Sequence, residues 1–158
     1  MAFMNFFQSP FGIVQVSASN QGVTAVKRVS HIEERDIQPN THTTQAIEEL
    51  KAYFRKELQQ FKVALDYQGT PFQQQVWEQL LGIPYGTTTS YKQIAKNLGD
   101  VKKIRAVGSA NGKNKIWIII PCHRVIGENG DLIGYAGGIT LKRQLLSHEA
   151  TVQQLSIF

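Results

Sequence analysis

The chain has 158 residues, 42% of them hydrophobic and 18% charged, which suits one compact domain or two small subdomains and excludes both a large multidomain assembly and a disordered chain. Its single cysteine excludes an internal disulfide and a thiolate-rich zinc site, and its longest apolar run, residues 116–120, is too short to span a bilayer. With a formal net charge of +5, this composition predicts a soluble, cytoplasmic protein whose cysteine is either inert or reactive.

The positive charge is confined to the second half of the chain. Residues 1–70 carry seven basic and seven acidic side chains, so the net charge of +5 lies entirely in residues 71–158. Eight basic residues fall between positions 92 and 124, with a single acid among them: Lys92, Lys96, Lys102, Lys103, Arg105, Lys113, Lys115 and Arg124. A one-sided basic field attracts polyanions, most commonly nucleic acid, although a solvated basic surface would give the same composition.

The first elements in chain order are three predicted strands. Residues 6–9, 12–18 and 22–29 mix β-branched and aromatic residues with Gly, Asn and Ser at the joints, which predicts an antiparallel meander. The turn between the second and third strands is expected at residues 20–22.

A helix and a linker are predicted next. Thr43 or Thr44 is expected to cap a helix that runs to Gln60, because apolar residues recur there at helical spacing. Residues 65–70 then have the composition of a linker, and we place a domain boundary between residues 67 and 68.

The second half is predicted to begin with helices. Pro71 suits the first turn of a helix that ends before the break at residues 84–86. Two short helices, residues 91–98 and 101–111, are joined by a tight Gly-containing turn, which is typical of a helix-turn-helix. The second of them would carry Lys102, Lys103 and Arg105, although short helix pairs also occur in proteins that never meet DNA.

The region around the cysteine is predicted to be a strand followed by a bend. Residues 117–120 are expected to form a short buried strand that Pro121 ends, which delivers Cys122 and His123 to the bend. A hairpin turn at residues 127–130, a loop at residues 134–138 and a helix at residues 140–150 complete the chain.

Cys122 is followed directly by His123 and Arg124. An unperturbed thiol with a pKa of about 8.5 is mostly protonated at neutral pH, and a neighbouring imidazole or cation lowers that pKa and supplies the thiolate. Because consecutive side chains of a strand face opposite ways, thiol and imidazole can meet only across a turn, directly or through a water. The alternative is a small buried hydrophobe, the more frequent fate of a lone cysteine.

A catalytic histidine also needs an acceptor for its second ring nitrogen. Carboxylates are the usual choice, and those that follow His123 are Glu128, Asp131 and Glu149. Spacing alone does not choose among them.

The sequence from residue 71 to residue 149 resembles the catalytic domain of the O6-alkylguanine-DNA alkyltransferases. Pro121-Cys122-His123-Arg124-Val125 is similar to their active-site motif. Further matches fall in family order and spacing: residues 72–77, Pro84-Tyr85-Gly86, Ser90-Tyr91, Arg105-Ala106-Val107-Gly108, Asn114, Gly134-Tyr135 with Gly137-Gly138, and Ser147-His148-Glu149. Residues 1–67 match only loosely.

The resemblance implies an α+β fold in two parts. The first would be a small N-terminal subdomain of antiparallel sheet and helix (RNase H-like), and the second a helix-turn-helix, winged-helix-like catalytic domain. The implied function is DNA repair by single-turnover transfer of an alkyl group from O6-alkylguanine, or O4-alkylthymine, in duplex DNA to Cys122. The resemblance implies no metal, cofactor, membrane or obligate protein partner, and a monomeric protein.

The resemblance also implies a role for each matching residue. Cys122 would accept the alkyl group, His123 would deprotonate it through a water, and Glu149 would orient His123. Tyr91 would hydrogen-bond the guanine ring, and Arg105 would replace the flipped nucleotide in the base stack. The remaining roles are pocket lining by Tyr135, bracing of a turn by Asn114, carbonyl acceptors at Cys122 and Val125, and a backbone donor at Ala136. Lys102 and Lys103 are DNA-binding candidates because of their place in the basic field, apart from the resemblance.

Two positions depart from the family pattern, and two other functions remain open. Ala136 stands where the family often has Ser, and Lys115 stands where Pro commonly follows the Asn. One alternative is a helix-turn-helix sensor or regulator that binds alkylated DNA without reacting. The other is a cysteine hydrolase, which would turn over and would not need a DNA-binding surface.

Overall fold

A computed structural model describes residues 2–127 and 138–150 of the chain. They form two compact units, the first containing the residues up to Gln68 together with Lys115–Trp117, and the second containing Gly69–Asn114 and the described residues from Ile118 onward. Most of the turn predicted at residues 127–130 and of the loop predicted at residues 134–138 lies outside the described residues. Within the described ranges, no helix has the length and apolar character needed to cross a membrane.

The sheet of the first unit is the predicted meander. Strands β1 (Phe3–Ser9), β2 (Gly12–Ala18) and β3 (Val23–Val29) pair antiparallel in the order β1-β2-β3. The turn before β3 lies at residues 20–22, where the Ser19 N–H donates to the Gly22 carbonyl at 2.9 Å. Val14 and Val16 alternate with more exposed residues and are fully buried, so one face of the sheet carries the core.

Helix α1 (Thr41–Phe54) starts and ends earlier than predicted. The Asn40 side chain accepts from the Thr43 N–H and the Thr43 side chain accepts from the Asn40 N–H, each at 2.9 Å, so Asn40 is the cap and Thr43 its partner. The prediction of Thr43 or Thr44 as the cap is therefore wrong. The helix does not reach Gln60 because the backbone turns away after Phe54, with Lys56 at a φ of 63°.

The second unit is built from helices. Helix α2 (Pro71–Leu81) has Pro71 in its first turn, as predicted, and a reciprocal cap between Thr70 and Gln73. The predicted pair of short helices is present as α3 (Tyr91–Asn97) and α4 (Ile104–Gly112), and α5 (Ile139–Glu149) is the last described helix. Two short parallel strands, β4 (Thr89–Ser90) and β5 (Val125–Ile126), pair near the cysteine.

The element that precedes α4 differs from the prediction. Residues Val101–Lys103 form a 3₁₀ turn, and the Asp100 side chain accepts from the Lys102 N–H at its start. Lys102 and Lys103 therefore precede α4, and only Arg105 of the three predicted DNA contacts lies on it.

The strand predicted at residues 117–120 is wrong. The Trp117 N–H donates to the Val26 carbonyl and the Val26 N–H donates to the Lys115 carbonyl, so the extended segment is residues 115–117 and belongs to the first unit. After Trp117 the backbone turns, with Ile118 at a φ of 69°, a strained conformation for a β-branched residue. Residues 117–120 are buried, as a strand would be, but they form a turn that leads to Pro121.

Candidate active site

Cys122 lies on a single turn of 3₁₀ helix, Cys122–Arg124, directly after Pro121. Its residue is 6% exposed, and the thiol is not part of a disulfide. The Cys122 N–H donates to the Ile120 carbonyl at 2.8 Å, which tightens the turn. The predicted bend therefore presents Cys122 and His123 from one turn of helix, in place of the strand that would have separated their side chains.

His123 is fully buried and paired with Glu149. The distance from His123 Nε2 to Glu149 Oε2 is 2.7 Å, and both side chains are almost inaccessible to solvent. Of the carboxylates that spacing left open, the structure brings Glu149 to the imidazole, while Glu128 and Asp131 lie outside the described residues. Glu149 is the last residue of α5, and the turn at Gly86, which has a φ of 78°, passes so close that a Cβ there would lie 3.2 Å from the Glu149 carbonyl oxygen.

Arg124 holds Glu149 from the other side. Its Nε donates to Glu149 Oε1 at 2.7 Å and its Nη2 to Oε2 at 3.1 Å, while Nη1 donates to the Ile83 carbonyl at 2.7 Å. The guanidinium also lies over the Tyr85 ring, 5.6 Å from its centroid. Arg124 was counted in the basic field, but it is 5% exposed and its charge is balanced by Glu149, so it is not part of a DNA-facing surface.

The electrostatics of the His123–Glu149 pair determine where the imidazole proton lies. Burial alone would raise the pKa of Glu149, but His123 and Arg124 outweigh it and hold that pKa well below its ordinary value. Burial lowers the pKa of His123, although Glu149 partly opposes the shift, so the imidazole is neutral at neutral pH. Because Nε2 faces an ionised carboxylate, it carries the ring proton and leaves Nδ1 as the lone-pair acceptor.

The second imidazole nitrogen is available for chemistry. His123 Nδ1 is buried and has no hydrogen-bond partner among the described residues. A neutral imidazole with Nε2–H directed to a carboxylate and a bare Nδ1 can take a proton from a thiol, directly or through a water. This arrangement of nucleophile, base and orienting carboxylate is suited to generating a thiolate.

Tyr91, the first residue of α3, lies in the same site. Its residue is 7% exposed, and the Asn111 side chain lies close enough to act on its hydroxyl. Burial raises the pKa of Tyr91 to about 12, the charge of Cys122 adds to the shift, and the Asn111 hydrogen bond opposes it. The Tyr91 hydroxyl is therefore protonated at neutral pH and can act as a hydrogen-bond donor.

Lys142 of α5 is a site residue that the sequence reasoning missed. It is fully buried, and its Nζ lies 5.8 Å from the centroid of the Tyr91 ring. Burial lowers the pKa of Lys142 to about 8, and the charge of Cys122 opposes that shift. A buried ammonium close to Cys122 favours the thiolate form of the cysteine.

Asn111 of α4 was also missed. It is 1% exposed, and its Nδ2 donates to the Cys122 carbonyl at 3.4 Å. The sequence carried a signal for both residues, because each polar side chain falls on the apolar stripe of its helix: Val107, Ala110 and Asn111 on α4, and Lys142, Leu145, Leu146 and Glu149 on α5.

The predicted DNA-binding side chains lie on an exposed segment. Lys102, Lys103 and Arg105 are all exposed, and Lys103 Nζ lies 5.4 Å from the centroid of the Phe72 ring. Lys115 belongs to the first unit. The basic side chains of the second unit that remain from the predicted field, here called the basic set, are Lys92, Lys96, Lys102, Lys103, Arg105 and Lys113.

The other predicted site residues divide into two groups. Asn114 Nδ2 donates to the Ile120 carbonyl at 2.8 Å, and the Val125 N–H donates to the Cys122 carbonyl, so both lie beside the cysteine turn. Tyr135 and Ala136 lie outside the described residues. Within the described part of the chain, no cluster of three His, Cys, Asp or Glu side chains is placed to hold a metal ion.

Comparison with known proteins gives consistent matches. A family model described as 6-O-methylguanine DNA methyltransferase, DNA binding domain, matches residues 71–151. A methylated-DNA–protein-cysteine methyltransferase of Methanosarcina acetivorans is 43% identical over 92% of this chain and 96% of its own length. Among solved structures, Mycobacterium tuberculosis O6-methylguanine methyltransferase matches with a TM-score of 0.84 and 43% identity, covering 94% of this chain and 93% of that one. The same organism's OGT in complex with DNA matches with a TM-score of 0.83 and 41% identity, covering 99% of each chain.

Proposed function

This chain belongs to the methylated-DNA–protein-cysteine methyltransferases, which repair DNA by transferring an alkyl group to a cysteine, and we propose that Cys122 is the accepting residue. One observation carries the proposal. The chain contains a single cysteine, and its neighbour His123 forms a buried hydrogen bond with Glu149. The remaining roles follow from this assignment.

The first step is formation of the thiolate. The Cys122 thiol gives its proton to Nδ1 of the neutral His123, through a bridging water, and the resulting imidazolium faces the ionised Glu149. Arg124 keeps Glu149 ionised throughout. The Lys142 ammonium favours the sulfur anion that this transfer leaves behind.

The second step is attack on the alkyl carbon. That carbon lies inside the duplex, so the alkylated base must leave the stack before sulfur can align behind it. A bond forms between Sγ and the alkyl carbon while the bond from that carbon to O6 breaks, and the electron pair passes to the guanine ring. Tyr91 stabilises the leaving guanine anion by a hydrogen bond to its ring, and the anion then takes a proton from water. The thioether has no hydrolysable bond, so each molecule acts once.

We assign recognition of the duplex to the exposed segment that carries Lys102, Lys103 and Arg105. Lys102 and Lys103 bind phosphates, and Arg105 fills the place of the flipped nucleotide, which offsets part of the flipping cost of roughly a few kcal/mol. The substrate is O6-alkylguanine, with O4-alkylthymine as a second candidate. Tyr135 lines the pocket, the backbone of Ala136 donates to the base oxygen, the Val125 carbonyl accepts from the guanine amino group, and Asn114 braces the cysteine turn.

Three further expectations belong to this proposal. The N-terminal unit is RNase H-like, and the second unit is a winged-helix-like variant of the helix-turn-helix. A thiol nucleophile must stay reduced, which fits the cytoplasm. The protein acts on DNA as a monomer without an obligate protein partner.

The test is the mass of the intact protein after incubation with a duplex that contains O6-methylguanine. We expect a gain of one methylene on wild type, confined to the peptide that contains Cys122, with no gain on Cys122→Ala. Duplex binding by Cys122→Ala should be nearly unchanged, since the substitution leaves the basic set intact. Binding without any mass change in wild type would identify a non-reacting sensor, and repeated turnover without a stable adduct would identify a hydrolase.

A further inference from the structure

Asp100 is the single acid among residues 92–124, where the basic field lies. It stands between α3 and the exposed residues 101–106, two positions before Lys102 and five before Arg105. A carboxylate beside side chains that bind phosphate weakens duplex binding, because like charges meet across the interface. Its presence at this position therefore calls for a second role.

The hydrogen bonds of Asp100 join the end of α3 to the start of the exposed segment. Its N–H donates to the Ala95 carbonyl at 3.1 Å. Its side-chain Oδ1 accepts from the Lys102 N–H at 2.9 Å, and its main-chain carbonyl accepts from the Lys103 N–H at 3.1 Å. A carboxylate that accepts from the backbone two residues later forms an Asx-turn, which fixes the direction in which the chain continues.

Packing restrains this part of the chain weakly. The backbone turns at Gly99, which has a φ of 94°, and among the described residues no atom lies within 4 Å of the position that a Cβ would take there. Residues 101–106 are all exposed, including the apolar Val101 at 44%, and the buried face of α4 begins at Val107. The path from α3 into α4 therefore depends on backbone hydrogen bonds, and Asp100 makes three of them.

We propose that Asp100 is a positioning residue that sets the direction in which Arg105 meets the duplex. Asp100 fixes the 3₁₀ turn Val101–Lys103, that turn leads directly into α4, and Arg105 is the second residue of the helix. The part of Arg105 in replacing the flipped base belongs to the proposed function, on which this inference rests. The carboxylate is kept for its hydrogen bond, although its charge weakens duplex binding.

The experiment removes the charge and the hydrogen bond of Asp100 separately. Asp100→Asn and Asp100→Ser are uncharged and keep an oxygen that can accept from the Lys102 N–H, whereas Asp100→Ala has neither charge nor acceptor. Binding of an undamaged duplex at low salt should tighten about threefold in all three variants. Single-turnover methyl transfer at saturating O6-methylguanine duplex should slow about fivefold or more in Asp100→Ala only, with Asp100→Asn and Asp100→Ser within about twofold of wild type.

Two controls distinguish positioning of Arg105 from a general defect. Reaction with free O6-methylguanine, which needs no base flipping, should stay within about twofold of wild type in every variant. In the Arg105→Ala background, Asp100→Ala should slow transfer from the duplex by less than about a further twofold, because the side chain that Asp100 positions is gone.

Four results would overturn the inference. They are equal rates of Asp100→Ala and Asp100→Asn on the duplex, a parallel loss of Asp100→Ala on the free base, an undiminished loss in the Arg105→Ala background, and weaker duplex binding by Asp100→Asn. Absence of transfer by wild type, or equal losses of Arg105→Ala on duplex and on free base, would instead contradict the proposed function.

Discussion

Two features of its position disfavour the ionised form of Glu149. The carboxylate is buried, and it lies at the C-terminal end of a helix, where the helix dipole is negative. Arg124 donates to both of its oxygens and His123 to one of them. Without Arg124, the negative charge that orients His123 would depend on His123 alone. Through Glu149, Arg124 thus supports the proton transfer that the proposed function assigns to His123.

Lys142 determines the direction in which the free energy of unfolding should change with pH. Its pKa is lowered from 10.5 to about 8 in the folded protein, so between these limits the unfolded chain binds more protons and stability rises with pH. Relative to Lys142→Met, wild type should therefore gain up to about 3 kcal/mol in free energy of unfolding between pH 8 and pH 10.5. Methyl transfer at pH 7 should be about tenfold slower in the variant, because the ammonium no longer favours the thiolate.

The measurements are urea unfolding at several pH values and single-turnover transfer. Lys51→Met is the matched control, because Lys51 is an exposed lysine of α1 outside the basic set, and it should change neither quantity. A stability difference between wild type and Lys142→Met that stays constant from pH 7 to pH 10.5 would contradict a buried, titrating ammonium.

At this scale the sequence predicted that Cys122 and His123 lie in one bend, which the structure shows, but it did not predict their surroundings. Cys122 and His123 are adjacent in the chain, so their pairing could be inferred, whereas spacing left three carboxylates open for the acceptor. Asn111 and Lys142 went unnoticed because a polar residue on a helix is ordinarily read as exposed. Their burial depends on which face of α4 and α5 packs inward, a tertiary property.

Among the elements, the segment that leads into α4 combines charge with exposed apolar surface. Residues 101–106 are all exposed, and they include Val101 at 44% and Ile104 at 38% as well as the basic side chains. Such a segment can pair cations with phosphates while apolar atoms contact sugar and base edges. Arg105 is the basic residue that lies on the helix itself.

Arg105→Ala should therefore affect duplex substrate selectively. We expect single-turnover repair at saturating duplex to slow about tenfold or more, because nothing then fills the gap left by the flipped base. Reaction with free O6-alkylguanine, which needs no flipping, should stay within about twofold of wild type. The two rates are measured on the same protein preparation.

Lys102→Ala is the matched control for a residue that only binds phosphate. It should weaken duplex binding, reduce the slope of log affinity against log salt by about 0.9, and leave the rate at saturating duplex unchanged. Equal losses of Arg105→Ala on duplex and on free base would remove the flipping role from Arg105.

Elements with local chemical signals were predicted best. Pro71 marks the start of α2, and the glycines and polar residues between the first strands mark their turns, because these residues act on the backbone next to them. The prediction of a strand at residues 117–120 was wrong because a short apolar run indicates burial without specifying a strand. The hydrogen bonds to Val26 and the positive φ of Ile118 define the conformation there, and the sequence of the segment itself indicates neither of them.

For the molecule as a whole, the buried His123–Glu149 pair predicts acid sensitivity of the second unit. The folded pKa of His123 lies below 6.5 and that of Glu149 below 4.5, so as pH falls the unfolded chain takes up protons that the folded one does not. Stability should therefore fall progressively below pH 6.5 and fall further below pH 4.5. His123→Gln should remove the upper part of this dependence.

The two tryptophans allow each unit to be followed separately. Trp77 of the second unit donates its indole N–H to the Ala110 carbonyl at 2.8 Å, and Trp117 belongs to the first unit. Urea unfolding of Trp117→Phe, observed through Trp77, should carry the acid dependence. If stability reported by Trp77 were unchanged between pH 7 and pH 5, the neutral buried imidazole would be ruled out.

The path of residues 115–117 limits how the chain can be divided into fragments that each contain one complete unit. The chain leaves the second unit after Asn114, contributes three residues to the first, and returns at Ile118, four positions before the reactive sulfur. A gene fragment that begins at codon 69 would encode residues 115–117 without Val26, the partner of Ile116 in a β-bridge. A single crossover at codon 69 would therefore exchange residues 1–68 without the three residues at 115–117 that belong to the same unit.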